Sequence, residues 1–318
     1  MKVVLGLVVG LVAVRYLALA GRDMLHVPVL ERQNFRGRTV ITAGGILIIA
    51  AALVIEAGRS TLGAFHLGDP PGQNPARPLV LFACFGFGLL GLLDDVLGDS
   101  SAQGFLGHLG ALARGRLTTG ALKVIGGAAI ALVLAASPGF ITGKRLIADA
   151  VLIALAANLA NLLDRAPGRA IKWAIVAYIP LAVVAGTDEV AMALAPVMGA
   201  ALGLLGDDLH ERIMLGDTGA NVLGAVLGMG IVLDVGRGSR NAILVVLIVL
   251  NVAAELFSFS TVIDRVPPLR AFDRWGRRRD ATLPATAESG TDASTGTDRA
   301  RTSPPVDSPR AAGGREGR

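Results

Sequence analysis

An all-α, polytopic membrane helix bundle of about nine transmembrane helices is the fold class this sequence predicts. Three observations carry the prediction. Of 318 residues, 53% are hydrophobic and only 17% are charged, too little charge to cover the surface of soluble domains of that length. Mean hydropathy is +0.60, which excludes a disordered chain. Apolar stretches recur from one end to the other, each near the ~20 residues that cross a ~30 Å hydrocarbon layer.

Taken in order, the first stretch covers 3–20. Lys2, an apolar core and Ala18-x-Ala20 also fit a signal peptide; the following spans need no exported domain, so it is counted as a span. The next eight are 40–57, 78–97, 118–136, 146–163, 171–186, 190–206, 218–234 and 241–257. After about Arg279 the chain turns to Thr, Ala, Ser, Gly, Pro and Arg with almost no large apolar residue. Such a segment cannot offset its ordering entropy. The expected organisation is therefore a transmembrane domain over 1–279 and a disordered cytosolic tail over 280–318. No internal repeat with a clear period stands out, which weakens an inverted-repeat transporter.

Charge gives the orientation. With the N-terminus outside, the inner loops and tail hold 22 Lys and Arg against 7 outside, so the positive-inside rule puts the N-terminus out and the C-terminus in. The net charge of +5 implies no nucleic-acid partner, because residues 258–318 hold 11 basic and 8 acidic residues and leave the body nearly neutral. The single Cys84 cannot form an internal disulfide.

The carboxylates gather at one membrane face. Asp94 and Asp95 end the third span, Asp164 follows the fifth, and Asp207, Asp208, Glu211 and Asp217 follow the seventh. Any one cluster could be a set of solvated helix caps. An adjacent pair behind an unbroken apolar run is harder to dismiss, since ionisable groups near a bilayer usually face a wet cavity or a partner. Two neighbouring carboxylates repel unless a cation or a proton relieves them. Mg²⁺ takes one or two carboxylates together with phosphate oxygens, which suits a membrane enzyme handling a pyrophosphate. Asn158, Asn161 and Asp164 lie at i, i+3, i+6 and form one stripe at the inner end of the fifth helix; interhelical hydrogen bonding is the alternative. Gly216-Asp217-Thr218-Gly219 opens the eighth span, where free backbone N–H groups can meet an anion.

Together these segments resemble the polyprenyl-phosphate N-acetylhexosamine-1-phosphate transferases, the superfamily of the phospho-N-acetylmuramoyl-pentapeptide and UDP-N-acetylglucosamine-1-phosphate transferases, of glycosyltransferase family 4 type. The marks are Thr42-Ala43-Gly44-Gly45, Asp94-Asp95, Asn158-x-x-Asn161-x-x-Asp164 and Gly216-Asp217-x-Gly219, in order between about Arg36 and Arg274. The resemblance implies a Mg²⁺-dependent enzyme of the plasma membrane with its active site in cytosolic loops. In that reaction a lipid phosphate attacks the β-phosphate of a UDP-sugar and releases UMP, a step of cell-envelope glycan synthesis. It implies polyprenyl (undecaprenyl) phosphate, a nucleotide-sugar and the lipid bilayer as partners, and allows a homodimer. Asp217 would be the Mg²⁺ ligand, Asp94 and Asp95 the pair that organises or deprotonates the lipid phosphate, and Asp164 with Asn161 and Asn158 the third polar loop. Arg36, Arg38, Arg165 and Arg169 could hold phosphate oxygens, or serve only as topology and headgroup contacts.

The chain departs from the family at the nucleotide-sugar end. A second acid expected three residues after Asp164 is Pro167, and the aromatic before the glycine-aspartate motif is Met214. The last inner loop carries no histidine cluster; the histidines are His26, His66, His108 and His210. A catalytically inactive member that acts as a membrane partner or regulator of envelope assembly is therefore the alternative.

Overall fold

The computed structural model describes residues 1–33, 37, 39–70, 72–98, 115, 118–137 and 142–278. Arg36, Arg38 and the 280–318 tail lie outside the described residues. The body, Met1–Arg278, is one compact unit.

All nine expected spans are helices. They are α1 (Lys2–Ala20), α3 (Ile46–Ala64), α4 (Ala76–Leu97), α5 (Thr119–Ala136), α6 (Gly143–Leu163), α7 (Arg169–Ala185), α8 (Glu189–Leu209), α9 (Gly216–Asp234) and α10 (Arg237–Leu256). Eight are long and apolar enough to cross a membrane, and the chain is a multi-pass membrane protein. The remaining one, α7, has 17 residues and reaches about 25 Å at 1.5 Å per residue. A short α2 (Arg22–Leu25) follows α1, and α11 (Phe259–Arg265) and α12 (Pro267–Arg274) follow α10. Side-chain caps start two of the described helices: Thr118 Oγ1 accepts from Ala121 N at 3.1 Å and Asp188 Oδ1 from Ala191 N at 2.8 Å, each meeting one orphan donor of a first turn.

One boundary differs from the sequence expectation. The second span begins at Ile46 rather than 40, because Thr39–Ile41 forms strand β2 against β1 (Glu31–Gln33). Ile41 also bridges Ile213 in parallel. Thr39, Val40 and Ile41 count as apolar or β-branched in any hydropathy window, yet here their backbones pair in a hairpin at the membrane edge.

Helix α9 is the axis of the bundle, packed by α4, α6, α7 and α8, and 15 of its residues from Gly216 to Val232 are buried. Helix α1 lies against α8 along the i, i+4 stripe Gly6, Gly10, Val14 and Ala18. A Cβ on Gly10 would fall 2.0 Å from the Pro196 carbonyl oxygen, and one on Gly199 2.0 Å from that of Leu7, so small residues set this crossing as they do in other membrane helix pairs. Arg15, inside α1, ion-pairs with Asp207. Gly10→Val and Gly199→Val should each lower the thermal midpoint in detergent, overpacking of this kind costing roughly 1–3 kcal/mol. Gly58→Ala, with nothing within 4 Å of its Cβ, is the silent control. Equal midpoints for all three variants would refute the close crossing.

Candidate active site

The C-terminal ends of α4 and α6 and the N-terminal ends of α5 and α9 bring four polar residues together. Lys123, in the first turns of α5, ion-pairs with Asp217 and lies 3.3 Å from Asp94 Oδ2. Asn161, from α6, takes the amide orientation that donates to Asp217 Oδ1 at 2.7 Å and accepts from Lys123 Nζ at 2.7 Å; the hydrogen-bond network assigns that orientation. Asp94 is also within hydrogen-bonding reach of Asp217 and Thr119. The side chains of Lys123, Asp94 and Asp217 are 18%, 25% and 29% exposed, so a ligand can reach them.

Asp217 owes its place to backbone packing. Gly44 N donates to the Met214 carbonyl and Gly45 N to that of Leu215, both at 2.9 Å, so the Thr42–Gly45 turn is laid along the segment that leads into α9. A Cβ on Gly45 would fall 2.1 Å from Gly219 Cα. The glycines in these two motifs thus let two backbones touch, and the first turn of α9 aims Asp217 at Lys123.

Asp95 has a different task from Asp94. Its carboxylate accepts from the backbone N–H groups of Asp217 at 3.0 Å and Thr218 at 2.9 Å and from Thr218 Oγ1 at 2.6 Å. It caps the N-terminus of α9 from a neighbouring helix, so the anion held at the glycine loop is the protein's own carboxylate. The adjacent pair points two ways, one acid into the site and one into its support.

Asp164, just beyond α6, sits beside the same loop. Loss of water around it, then the negative charges of Asp208, Asp217 and Asp95, push its carboxyl well above the ordinary range, opposed by a hydrogen bond from the Gly216 backbone. A carboxyl raised this way holds its proton more tightly folded than unfolded. Stability therefore falls as pH climbs from the unfolded value of about 3.9 toward the folded one. Asp164→Asn should raise the thermal midpoint, by more at pH 8 than at pH 5. A midpoint gap that does not depend on pH would show that these acids do not repel.

Two expected site residues are held elsewhere. Asn158 Nδ2 donates to Asn251 Oδ1 at 2.7 Å, and Asn251 Nδ2 donates to the Leu247 carbonyl at 2.8 Å; this is interhelical hydrogen bonding between α6 and α10, although Asn158 also lines a groove. Arg169 is buried, with Nε and Nη2 on the two Asp273 oxygens at 2.8 and 3.0 Å and Nη1 on Ser260 Oγ at 2.8 Å. It fastens α11 and α12 to the base of α7 and has its guanidinium committed there. Arg165 is exposed and lines two cavities.

Two cavities flank the acids. A groove of about 490 Å³ runs down between α4, α5, α6 and α9, with Phe87, Leu90, Val124 and Leu155 on its walls and Asp94, Lys123 and Asn161 at its polar part. Beside Asp164, a second cavity of about 240 Å³ is lined by Arg165, Pro167, Asp208, Glu211 and Met214. Pro167 and Met214, the two positions where the sequence departs from the family it resembles, therefore line the same cavity. Asp208 itself accepts from Gly168 N at 3.0 Å.

Lys123, Thr119, Asn221 and Glu255 line the groove and are the residues that sequence reasoning did not place. Lys123 could have been found: a lone ammonium inside an apolar span is expensive and usually marks a partner or a pathway. Asn221, one turn beyond Asp217 on α9, is buried with its Nδ2 unpaired.

Residues 78–234 match the family model described as glycosyl transferase family 4. The phospho-N-acetylmuramoyl-pentapeptide-transferase of Desulforamulus reducens is 29% identical over 274 residues, covering 76% of this chain and 78% of the relative. That of Oceanobacillus iheyensis is 29% identical over 286 residues, covering 76% and 80%. That of Syntrophus aciditrophicus is 28% identical over 223 residues, covering 59% and 57%.

Proposed function

We propose that this chain, whose residues 78–234 match the glycosyl transferase family 4 model, acts as a polyprenyl-phosphate N-acetylhexosamine-1-phosphate transferase, moving a sugar-1-phosphate from a UDP-sugar to a polyprenyl phosphate and releasing UMP. The observation that carries this reading is the meeting of Asp94, Asp217, Asn161 and Lys123 at the polar part of an apolar groove. An amphiphilic phosphate needs that combination: apolar walls for the chain and hydrogen-bond donors at one end. The relatives are named for transfer of a phospho-N-acetylmuramoyl-pentapeptide, which supports the same class.

The donor set fits Mg²⁺ in kind. Two carboxylates and an amide oxygen converge on one cationic position, which the Lys123 ammonium takes here, and Mg²⁺ prefers hard oxygens completed by substrate phosphate. Among the described residues no three acid, histidine or cysteine side chains form a metal cluster, so substrate phosphates have to supply the remaining ligands. Asp217 and Asp94 would hold the ion, which would screen two anions from each other and stabilise the leaving phosphate. Lys123 would meet a phosphate oxygen, and Asn161 would keep both Lys123 and Asp217 in register. Asp95 and the Gly44–Gly45 turn would hold the loop that carries Asp217. The smaller cavity beside Asp164 would receive the nucleotide, with Met214 and Pro167 in place of an aromatic and an acid, so binding there would rest on different contacts.

On this reading the carboxylate end of the bundle faces the cytosol, as the 22-to-7 charge split has it, and residues 280–318 form a dispensable cytosolic tail. The deciding experiment is transfer of radiolabel from a panel of UDP-sugars to undecaprenyl phosphate, with and without Mg²⁺. Label should reach lipid only when the metal is present. No transfer from any UDP-sugar would favour the catalytically inactive partner or regulator of envelope assembly, the reading that Pro167 and Met214 support.

A further inference from the structure

The hairpin of α11 and α12 carries apolar surface that the bundle does not cover. Val262 is 44% exposed, Val266 39% and Trp275 71%, and at the foot of α10 Leu256 is 69% and Phe257 64% exposed. Within the two helices only Ile263 and Asp273 are buried. The hairpin has a fixed place. It leaves α10 at the carboxylate end of the bundle, and Arg169, Lys172 and Arg277 tie it to the start of α7 through Asp273 and the Phe272, Asp273, Trp275 and Pro167 carbonyls. It thus lies where a membrane span meets the headgroups.

Its charge is lopsided. Residues 258–278 hold five arginines and two aspartates. Asp273 is taken by Arg169 and Arg277, and Asp264 by Arg274. Arg265, Arg270 and Arg278 are exposed and pair with no carboxylate among the described residues. The 40 residues that follow cannot supply a cover, since their large apolar side chains are Leu283 and Val306 and they carry six basic and six acidic residues. A second copy of the chain would set one basic hairpin against another. Water would leave the apolar area unburied. An anionic bilayer surface satisfies both features at once, taking Trp, Val and Phe into the acyl boundary and arginines onto phosphates.

We propose that the α11–α12 hairpin is an interfacial anchor seated on the anionic lipid headgroups of the adjoining leaflet, with Trp275, Val262 and Val266 dipping in and Arg265, Arg270 and Arg278 on the lipid phosphates. The proposal rests on the membrane placement alone and stands whether or not the site is catalytic.

Fluorescence tests it directly, because the chain has two tryptophans. In the Trp173→Phe variant of the full chain, Trp275 reports alone. The protein is placed in nanodiscs of phosphatidylcholine with or without phosphatidylglycerol, using lipids brominated near the carbonyls. Trp275 quenching should be about twofold greater in the anionic discs and should fall back when salt is raised to about 0.5 M, where the screening length shrinks to a few ångströms. Arg265→Gln with Arg270→Gln should bring the anionic value down to the neutral one. The unmodified chain compared with Trp275→Phe gives the same difference if Trp173→Phe disturbs the edge contact of Trp173 with Phe272. Equal quenching in both discs, quenching by aqueous acrylamide alone, or protection that appears only with two protein copies per disc would each overturn the anchor.

Discussion

Asp217→Asn should abolish sugar-phosphate transfer while leaving the bundle folded. The substitution keeps the volume and the hydrogen-bonding reach to Asn161 but removes one of the two charges that face Lys123. Losing one preorganised electrostatic contact in a transition state typically costs ~10²–10³ in rate, and a metal ligand is expected at the upper end. The fold should tolerate the change for a local reason. Lys123 retains Asp94, and the backbone N–H of residue 217 still donates to Asp95. Asp95→Asn should invert the pattern, with stability falling first, because a half-neutralised cap holds the α9 N-terminus less firmly. The comparison is made on transfer rate and thermal midpoint at matched protein level in membranes. Asp217→Asn as active as the parent would remove Asp217 from the reaction, and wild type without activity on any UDP-sugar would remove the reaction itself.

Much of the fold was legible because lipid forbids alternatives: a backbone crossing hydrocarbon must satisfy its own hydrogen bonds, so long apolar runs become helices. What the runs could not show was pairing across distance. The start of α3 differs because Thr39–Ile41 pairs with β1 and Ile41 also bridges Ile213, a residue that no window around it holds. The same limit divides the site. Asp94, Asp217 and Asn161 were legible as ordered motifs whose chemistry belongs together. Asn158 sat on the expected stripe, yet its partner Asn251 is 93 residues away, and the spacing alone suited a ligand equally well. Lys123 has no partner within its own apolar run that the sequence could show. From sequence Arg169 suits a phosphate or a headgroup equally well, because Asp273, 104 residues on, cannot be placed beside it there.

Asp273→Ala should therefore be among the most destabilising single changes in the chain. The carboxylate is 3% exposed and is the counter-charge for both Arg169, itself 3% exposed, and Arg277. Removing one partner of a buried ion pair leaves an uncompensated charge and costs roughly 3–5 kcal/mol. Lys172 should loosen with it, since the carbonyls of Phe272, Asp273 and Trp275 that it binds belong to the same turn. The pH dependence has a definite sign. Burial raises the Asp273 carboxyl, but hydrogen bonding to Arg169 and the charges of Arg169, Arg277 and Lys172 outweigh it and hold it below the ordinary range. A depressed carboxyl contributes stability that is complete above its unfolded value of about 3.9 and is lost as pH falls through the folded value. The parent should thus lose the α11–α12 docking only in acid, and Asp273→Ala should lose it already at neutral pH and show no further acid step there. Trp173, edge-on to Phe272 at 5.4 Å, gives the fluorescence signal. The triple change Arg169→Met, Arg277→Met and Asp273→Leu should recover most of the loss, because apolar residues can replace a buried ionic set at little cost. An unchanged midpoint in Asp273→Ala would mean that the arginines find water in its absence, and that the α11–α12 segment is held by its apolar contacts instead.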